Sequence, residues 1–284
     1  MTIAITQLDA PLGARLDGID LAVPLAQSDV GAIAEAWRTR LVVVAQGQRL
    51  SDPQLLAFSR CFGELDPPGP NPYGEPFNKA FPDINVISNV VENGEPIGGL
   101  GDGEAVWHAD MTYVEVPPKA AVLHALEVPP AAGNTYFADM FAAYETLPAD
   151  LKRAAEGRIA IHDASRNSAG MLRKGYKAVT DVRETVGARH PLVRIDPTTQ
   201  RKALFLGRRP NSYVVGLPVA DSEALLDALW AHATEPRFTM CHEWRVGDVL
   251  MWNNLAVLHR RDPFDPKSRR IMHRTQIKGQ ERVA

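Results

Sequence analysis

Residues 105–140 read AVWHADMTYVEVPPKAAVLHALEVPPAAGNTYFADM: three runs rich in branched and aromatic residues, separated by proline pairs and a Gly-Asn turn. Runs of this kind bounded by turn residues are the pattern of short β-strands. The pattern returns in HPLVRI, KALFLG and SYVVGL. It returns again in FTMCHEWRVGDVLMWNNLAVLHRRDPF, where Val246-Gly247-Asp248 reads as a turn, and in SRRIMHRTQIKG. Helical spacing is confined to a few stretches. One follows Ser28 as its cap, with Ile33, Ala36 and Trp37 on one side. A second is SDPQLLAFSRCFG, with Ser51 and Gln54 at capping-box spacing, Pro53 in the first turn and Gly63 as the stop. The others are MFAAYETLPADLKRAAEG, broken at Pro148, and SEALLDALWAHAT, capped by Ser222. The expectation is a mainly β fold with flanking helices, a single domain over residues 1–284. Two segments, about 66–104 and 163–187, are irregular and read as candidate lids or surface loops, the first interrupted by a strand at INVISNVV.

The 284 residues are 45% hydrophobic and 23% charged with a net charge of −3, the balance of a globular protein without the basic footprint of a nucleic-acid binder. The longest apolar runs, such as LVVVA at 41–45, fall far below the ~20 residues of a membrane span. The start, MTIAITQLDAPLGARLDG, lacks the basic and apolar parts of a signal peptide. Cys61 and Cys241 form no CxxC pair, so neither a disulfide framework nor a zinc knuckle is suggested. These features point to a cytoplasmic protein with a small-molecule partner, neither nucleic acid nor membrane; a homo-oligomer is compatible with them.

Chemistry concentrates at His108 and Asp110. If the first run continues as a strand, the two share a face, with Trp107 and Ala109 on the other. They are then either two metal ligands or a buried His–Asp hydrogen bond. NNLAVLHRRDPF adds His259, on one strand face with Val257. Two histidines and one carboxylate, with coordination positions left open, are the set of non-haem Fe(II) oxygenases, whereas a structural zinc site closes with a fourth Cys or His. His124, His162, His190, His232, His242 and His273 lack the HxD spacing and read as packed or solvated. On RIMHRTQ, positions 270, 272 and 274 share a face, and Arg270 and Arg274 are the side chains suited to gripping carboxylates.

Taken together, WHxD at 107–110, GNT at 133–135, WNN…H at 252–259 and RRIMHR at 269–274 resemble the taurine dioxygenase and 2,4-dichlorophenoxyacetate dioxygenase family of Fe(II)/2-oxoglutarate-dependent oxygenases. The resemblance covers almost the whole chain, starting at PLGARLDGIDLAVPL and LSDPQLLAFSRCFGEL. It implies a double-stranded β-helix, a distorted cupin-like jelly roll. It also implies His108, Asp110 and His259 as iron ligands, and Arg270 with the Thr135 hydroxyl on the distal carboxylate of 2-oxoglutarate. Trp252 would wall the iron, and Arg274 would hold an anionic group of the substrate. The implied reaction oxidises a small substrate, by default hydroxylating it, with Fe(II), O₂ and 2-oxoglutarate, which becomes succinate and CO₂. After CFGEL the histidine of the taurine enzymes is missing, with Pro68 and Asn71 at the nearest positions, which argues against taurine itself. Arg208 and Arg209 are expected on a loop in solvent. Two other readings use the same scaffold. A non-redox cupin-type isomerase or hydrolase would need neither Arg270 nor Thr135, and a metal-free jelly-roll binding module would keep His108–Asp110 as a plain hydrogen bond.

Overall fold

A computed structural model describes residues 3–69 and 75–284; Asn71 lies outside them. The larger sheet runs in the order Ala4–Gln7, Ala14–Asp17, Val42–Ala45, Val249–Asn253, Ala120–Glu127, Ile271–Ile277, Asn85–Ser88 and Gly99–Leu100. The smaller sheet is Thr239–His242, Thr135–Asp139, Val257–Arg261 and Ala105–His108.

Alternation along the strands divides the interior in two. Val42, Val44, Ala121, Leu123, Leu250, Trp252 and Met272 face a core between the sheets, which they share with Phe137, the rung partner of His259. Val43, Ala45, Ala120, Val122, Val249 and Met251 face the opposite way, against Ile33, Leu55, Leu56 and Phe58 of the helices Gln27–Arg40 and Asp52–Arg60. A strand apolar on both faces is what a covered sheet requires. This is the expected mainly β jelly roll with flanking helices, and the space between its two sheets is where a site can form.

Several local expectations hold. Gln54 Oε1 accepts from the backbone N–H of Ser51 at the head of its helix, 2.8 Å away. The run 140–157 splits into Met140–Glu145 and Ala149–Ala155 around Pro148. Gly247 turns with φ +87°, where a Cβ would stand 2.7 Å from the carbonyl oxygen of Gln48. Two caps differ. The first helix starts after Ala26 rather than Ser28. Ser222 lies inside Val219–Ala233, its hydroxyl accepting from Val214 N at 2.9 Å. Ser28 comes two residues and Ser222 four residues after the observed cap, because the preceding residues already take helical geometry. The first strand is also shorter than expected and ends at His108.

Candidate metal centre

The smaller sheet brings the two histidines together. His108 and His259 are Cα partners on adjacent antiparallel strands, with ring centroids 4.1 Å apart. Asp110 does not reach them by strand alternation, as the sequence suggested. The strand stops at His108, and Asp110 lies in a turn followed by Met111 at φ +52°. What fixes it there is Asn254. Its Oδ1 accepts from Asp110 N at 2.7 Å, and its Nδ2 donates to Asp110 O at 2.8 Å and Pro118 O at 2.9 Å. In the sequence Asn254 stands out only as part of WNN. The available signal was an amide side chain inside an apolar strand-to-strand turn, where it has to pair with backbone.

His108 Nε2 stands 3.6 Å and His259 Nε2 4.0 Å from Asp110 Oδ1, and the three ligand atoms all lie within 4.8 Å of one another. His108 Nδ1 is 2.7 Å from Val106 O. A carbonyl only accepts, so Nδ1 carries the proton and the Nε2 lone pair is left for the site. Burial pushes the Asp110 carboxyl up, but Arg274, His259 and His108 outweigh it and hold the group well below the usual carboxylate range. Burial, with the charges of His108 and Arg274 and against that of Asp110, holds His259 well below the ordinary histidine value. An ionised carboxylate and neutral imidazoles are the metal-binding forms. Two imidazole nitrogens and one carboxylate oxygen, all buried, with chambers on either side, fit a facially bound Fe(II).

Behind His108 and His259 is a cavity of about 40 Å³ lined by Thr135, Trp252, Arg261, Arg270 and Arg274 among others. Arg270 is 2% exposed and forms no ion pair with a described residue, and its Nε has no hydrogen-bond partner. Burial and the neighbouring Arg261 charge bring it down to about 9. A lone buried guanidinium of this kind fits a ligand that ends in a carboxylate. Thr135 Oγ1 accepts from Trp244 Nε1 at 2.9 Å, so its own proton points elsewhere. Trp252 is 1% exposed, with its ring 5.0 Å from that of His259. Arg261, not singled out from the sequence, follows His259 by two positions on the same strand face and was legible from that spacing.

On the Asp110 side of the cluster, a cavity of about 100 Å³ has His108, Asp110 and Arg274 in its lining. Both irregular segments supply its walls, Phe77, Asn85 and Gly99 from the first and Asp163, Arg166 and Arg173 from the second. Arg274 Nη1 donates to both oxygens of Asp110, at 2.8 and 2.9 Å. Arg166 and Arg173 donate to the backbone carbonyls of Gly170 and Ala164, and Arg173 lies 4.0 Å from the Tyr113 ring centre. Neither forms an ion pair with a described residue. Arg208 corrects its expectation. It is 8% exposed and meets Asp163 at 2.6 Å, because its loop tucks beneath the second segment rather than into solvent. Arg209 is paired too, with Glu223 at 2.7 Å and Asp227 at 2.6 Å.

The family described as "Taurine catabolism dioxygenase TauD, TfdA family" matches residues 4–276. The alpha-ketoglutarate-dependent 2,4-dichlorophenoxyacetate dioxygenase of Cupriavidus pinatubonensis is 34% identical, over 96% of this chain and 97% of that one. The pentalenolactone F synthase of Streptomyces arenae is 33% identical over 93% and 91%. Among solved structures, AAD-2 in complex with Mn(II) and N-oxalylglycine superposes with a TM-score of 0.81 at 30% identity, covering all of both chains.

Proposed function

The chain belongs to the TauD, TfdA family, and on that premise we propose that His108, Asp110 and His259 are its iron ligands, Arg270 and Thr135 its hold on 2-oxoglutarate, and the larger cavity its substrate site. It is an oxidoreductase, a dioxygenase that uses Fe(II), 2-oxoglutarate and O₂ on a small organic substrate. Bound iron supplies the O₂ chemistry that couples decarboxylation of 2-oxoglutarate, to succinate and CO₂, with oxidation of a C–H bond. Every other part of the task falls to the chain. His108 and His259 present lone pairs, and Asp110 presents a carboxylate oxygen whose backbone Asn254 holds in place. Arg270 meets the distal carboxylate, and the Thr135 hydroxyl, already accepting from Trp244, donates to it. Trp252, Leu123 and Ile87 keep water out of the inner cavity.

One observation carries this reading: a fully buried, anion-free arginine opens into the same cavity as the two histidines. A non-redox cupin enzyme or a metal-free binding module has no use for that charge. For the substrate we favour a small organic anion that is hydroxylated. Arg166 and Arg173 bring cations without carboxylate partners to the outer cavity, and Arg274 is in its lining. Relatives of similar length are named for a dichlorophenoxyacetate, a phenoxypropionate and a sulfate ester, all anions. One domain, with residues 75–104 and 163–187 walling that cavity, belongs to the same reading. So does a cytoplasmic setting, which fits two free, exposed cysteines. A panel of carboxylates, sulfonates, sulfate esters and their neutral analogues, screened for succinate release, tests it. Anions should lead the panel, and a neutral best substrate contradicts the substrate assignment.

A further inference from the structure

We propose that Arg261 is a second cation for the distal carboxylate of 2-oxoglutarate, so that this chain holds the cosubstrate between two guanidinium groups. The inference rests on the cosubstrate reading above and goes beyond it by naming the residue that selects a diacid.

Its first support is register. Arg261 closes the strand Val257–Arg261, and two residues at about 3.3 Å each carry it roughly 6.6 Å along the face from His259. That is the order of length of a five-carbon diacid anchored at the metal by its oxo-acid end. In the ladder Arg261 pairs with Thr135, while the next rung on the same face pairs His259 with Phe137. The hydroxyl already assigned to the distal carboxylate is therefore the cross-strand neighbour of Arg261.

The second support is what the guanidinium touches. Arg261 is 6% exposed and lines the inner cavity. Its Nη2 donates to the carbonyl oxygens of Gly103 and Leu100, whereas Nε and Nη1 are buried without partners. Arg270 leaves its own Nε unpartnered in the same cavity, and both guanidinium carbons lie beside the Phe264 ring, at 5.3 and 6.0 Å from its centre. No described carboxylate forms an ion pair with either; Asp102 acts on Arg261 only from beyond ion-pair distance, and burial outweighs it. Two buried like charges side by side are unfavourable until one anion meets both. A diacid brings that anion, and a 2-oxo monoacid leaves both guanidiniums buried without an ion pair.

The test is calorimetric titration of the Mn(II)-loaded protein, which needs no turnover, with 2-oxoglutarate and with 2-oxopentanoate. The unaltered protein should bind the diacid far more tightly. Arg261→Gln should weaken 2-oxoglutarate by about 30-fold or more, the low end for removing one partner of a buried charge pair, and leave 2-oxopentanoate unchanged. Arg261→Lys, which keeps the charge but not the planar fork, should lose less, again selectively, and serves if the Gln variant does not fold. Unchanged 2-oxoglutarate affinity in the Arg261 variants, beside a large loss in Arg270→Gln, would overturn the proposal and leave the function intact. Equal losses for both acids would make Arg261 a wall support and overturn it as well. No 2-oxoglutarate binding by the unaltered protein would overturn both readings.

Discussion

Asn254 holds both peptide groups of Asp110 with one carboxamide, and the turn that presents Asp110 has no strand to define it. Removing that clasp should leave the ligands in the chain but not in place. Asn254→Ala is expected to lower Mn(II) or Fe(II) affinity about 10–100-fold, the usual cost of losing a group that orients a ligand. Unchanged metal affinity in a folded variant would mean that the turn holds itself. His162 offers a second test at this scale. It is 1% exposed with neither ring nitrogen partnered, and burial with the nearby His190 lowers it to about 3. An unfolded chain would protonate it near the ordinary value of 6.5. Between those values the unfolded state binds the extra proton, so His162 contributes stability that is complete above about 6.5 and lost as pH falls towards 3. His162→Phe should flatten the fall of melting temperature over that window, with the part due to His190 remaining. A slope equal to that of the unaltered protein would contradict it. The proposed metal ligands stand out in the sequence because HxD followed by a distant His is a compact pattern. The way Asp110 is presented does not, because a side-chain clasp from residue 254 leaves no local periodicity.

The segment 163–187 is tied down by charge. Asp163 lies beneath Arg208 at 2.6 Å, accepts from Asn211 at 2.9 Å and from Ser165 N at 2.7 Å. The Arg208 backbone also forms an isolated antiparallel β-bridge with that of His108, so the clasp connects an outer wall of the proposed substrate cavity to the strand of His108. Breaking one side should leave an uncompensated buried charge. Asp163→Leu or Arg208→Met alone should destabilise by ~3–5 kcal/mol, and the double variant by much less. Denaturant unfolding of the three proteins measures this, and a double variant as unstable as the sum of the singles would contradict the pairing. Read from composition, the two arginines of FLGRRPNSYVVGL belonged in solvent, because exposed arginine is the common case. Their partners lie 45 positions before Arg208, and 14 and 18 after Arg209, distances over which charge pattern predicts nothing. The Ser28 and Ser222 caps failed for a related reason, whereas Ser51 keeps its capping box. The choice among Ala26, Ser28, Pro218 and Ser222 as helix starts is made by packing and by the backbone of the preceding loop.

At the scale of the molecule, short apolar runs such as LVVVA and KAAVLHALEV between turn residues made the β architecture readable in advance, and alternation along Val42–Ala45, Ala120–Ala125 and Val249–Trp252 divides their side chains between two cores. It also turns His108, His259 and Arg274 toward the space between the sheets, while Asp110 comes in from the turn after His108. His108 and His259 come from the smaller sheet, Arg270 and Arg274 from the last strand of the larger one and its entry, and the cavities from the space the apolar side chains leave unfilled. The central claim is that iron and 2-oxoglutarate meet at these residues. It is tested most directly by mixing the protein anaerobically with Fe(II) and 2-oxoglutarate and recording the visible spectrum. The account predicts a weak charge-transfer band that needs both additions, is abolished in His259→Ala, and requires a higher 2-oxoglutarate concentration in Arg270→Gln. No band in the unaltered protein, or a band that survives in His259→Ala, would contradict it.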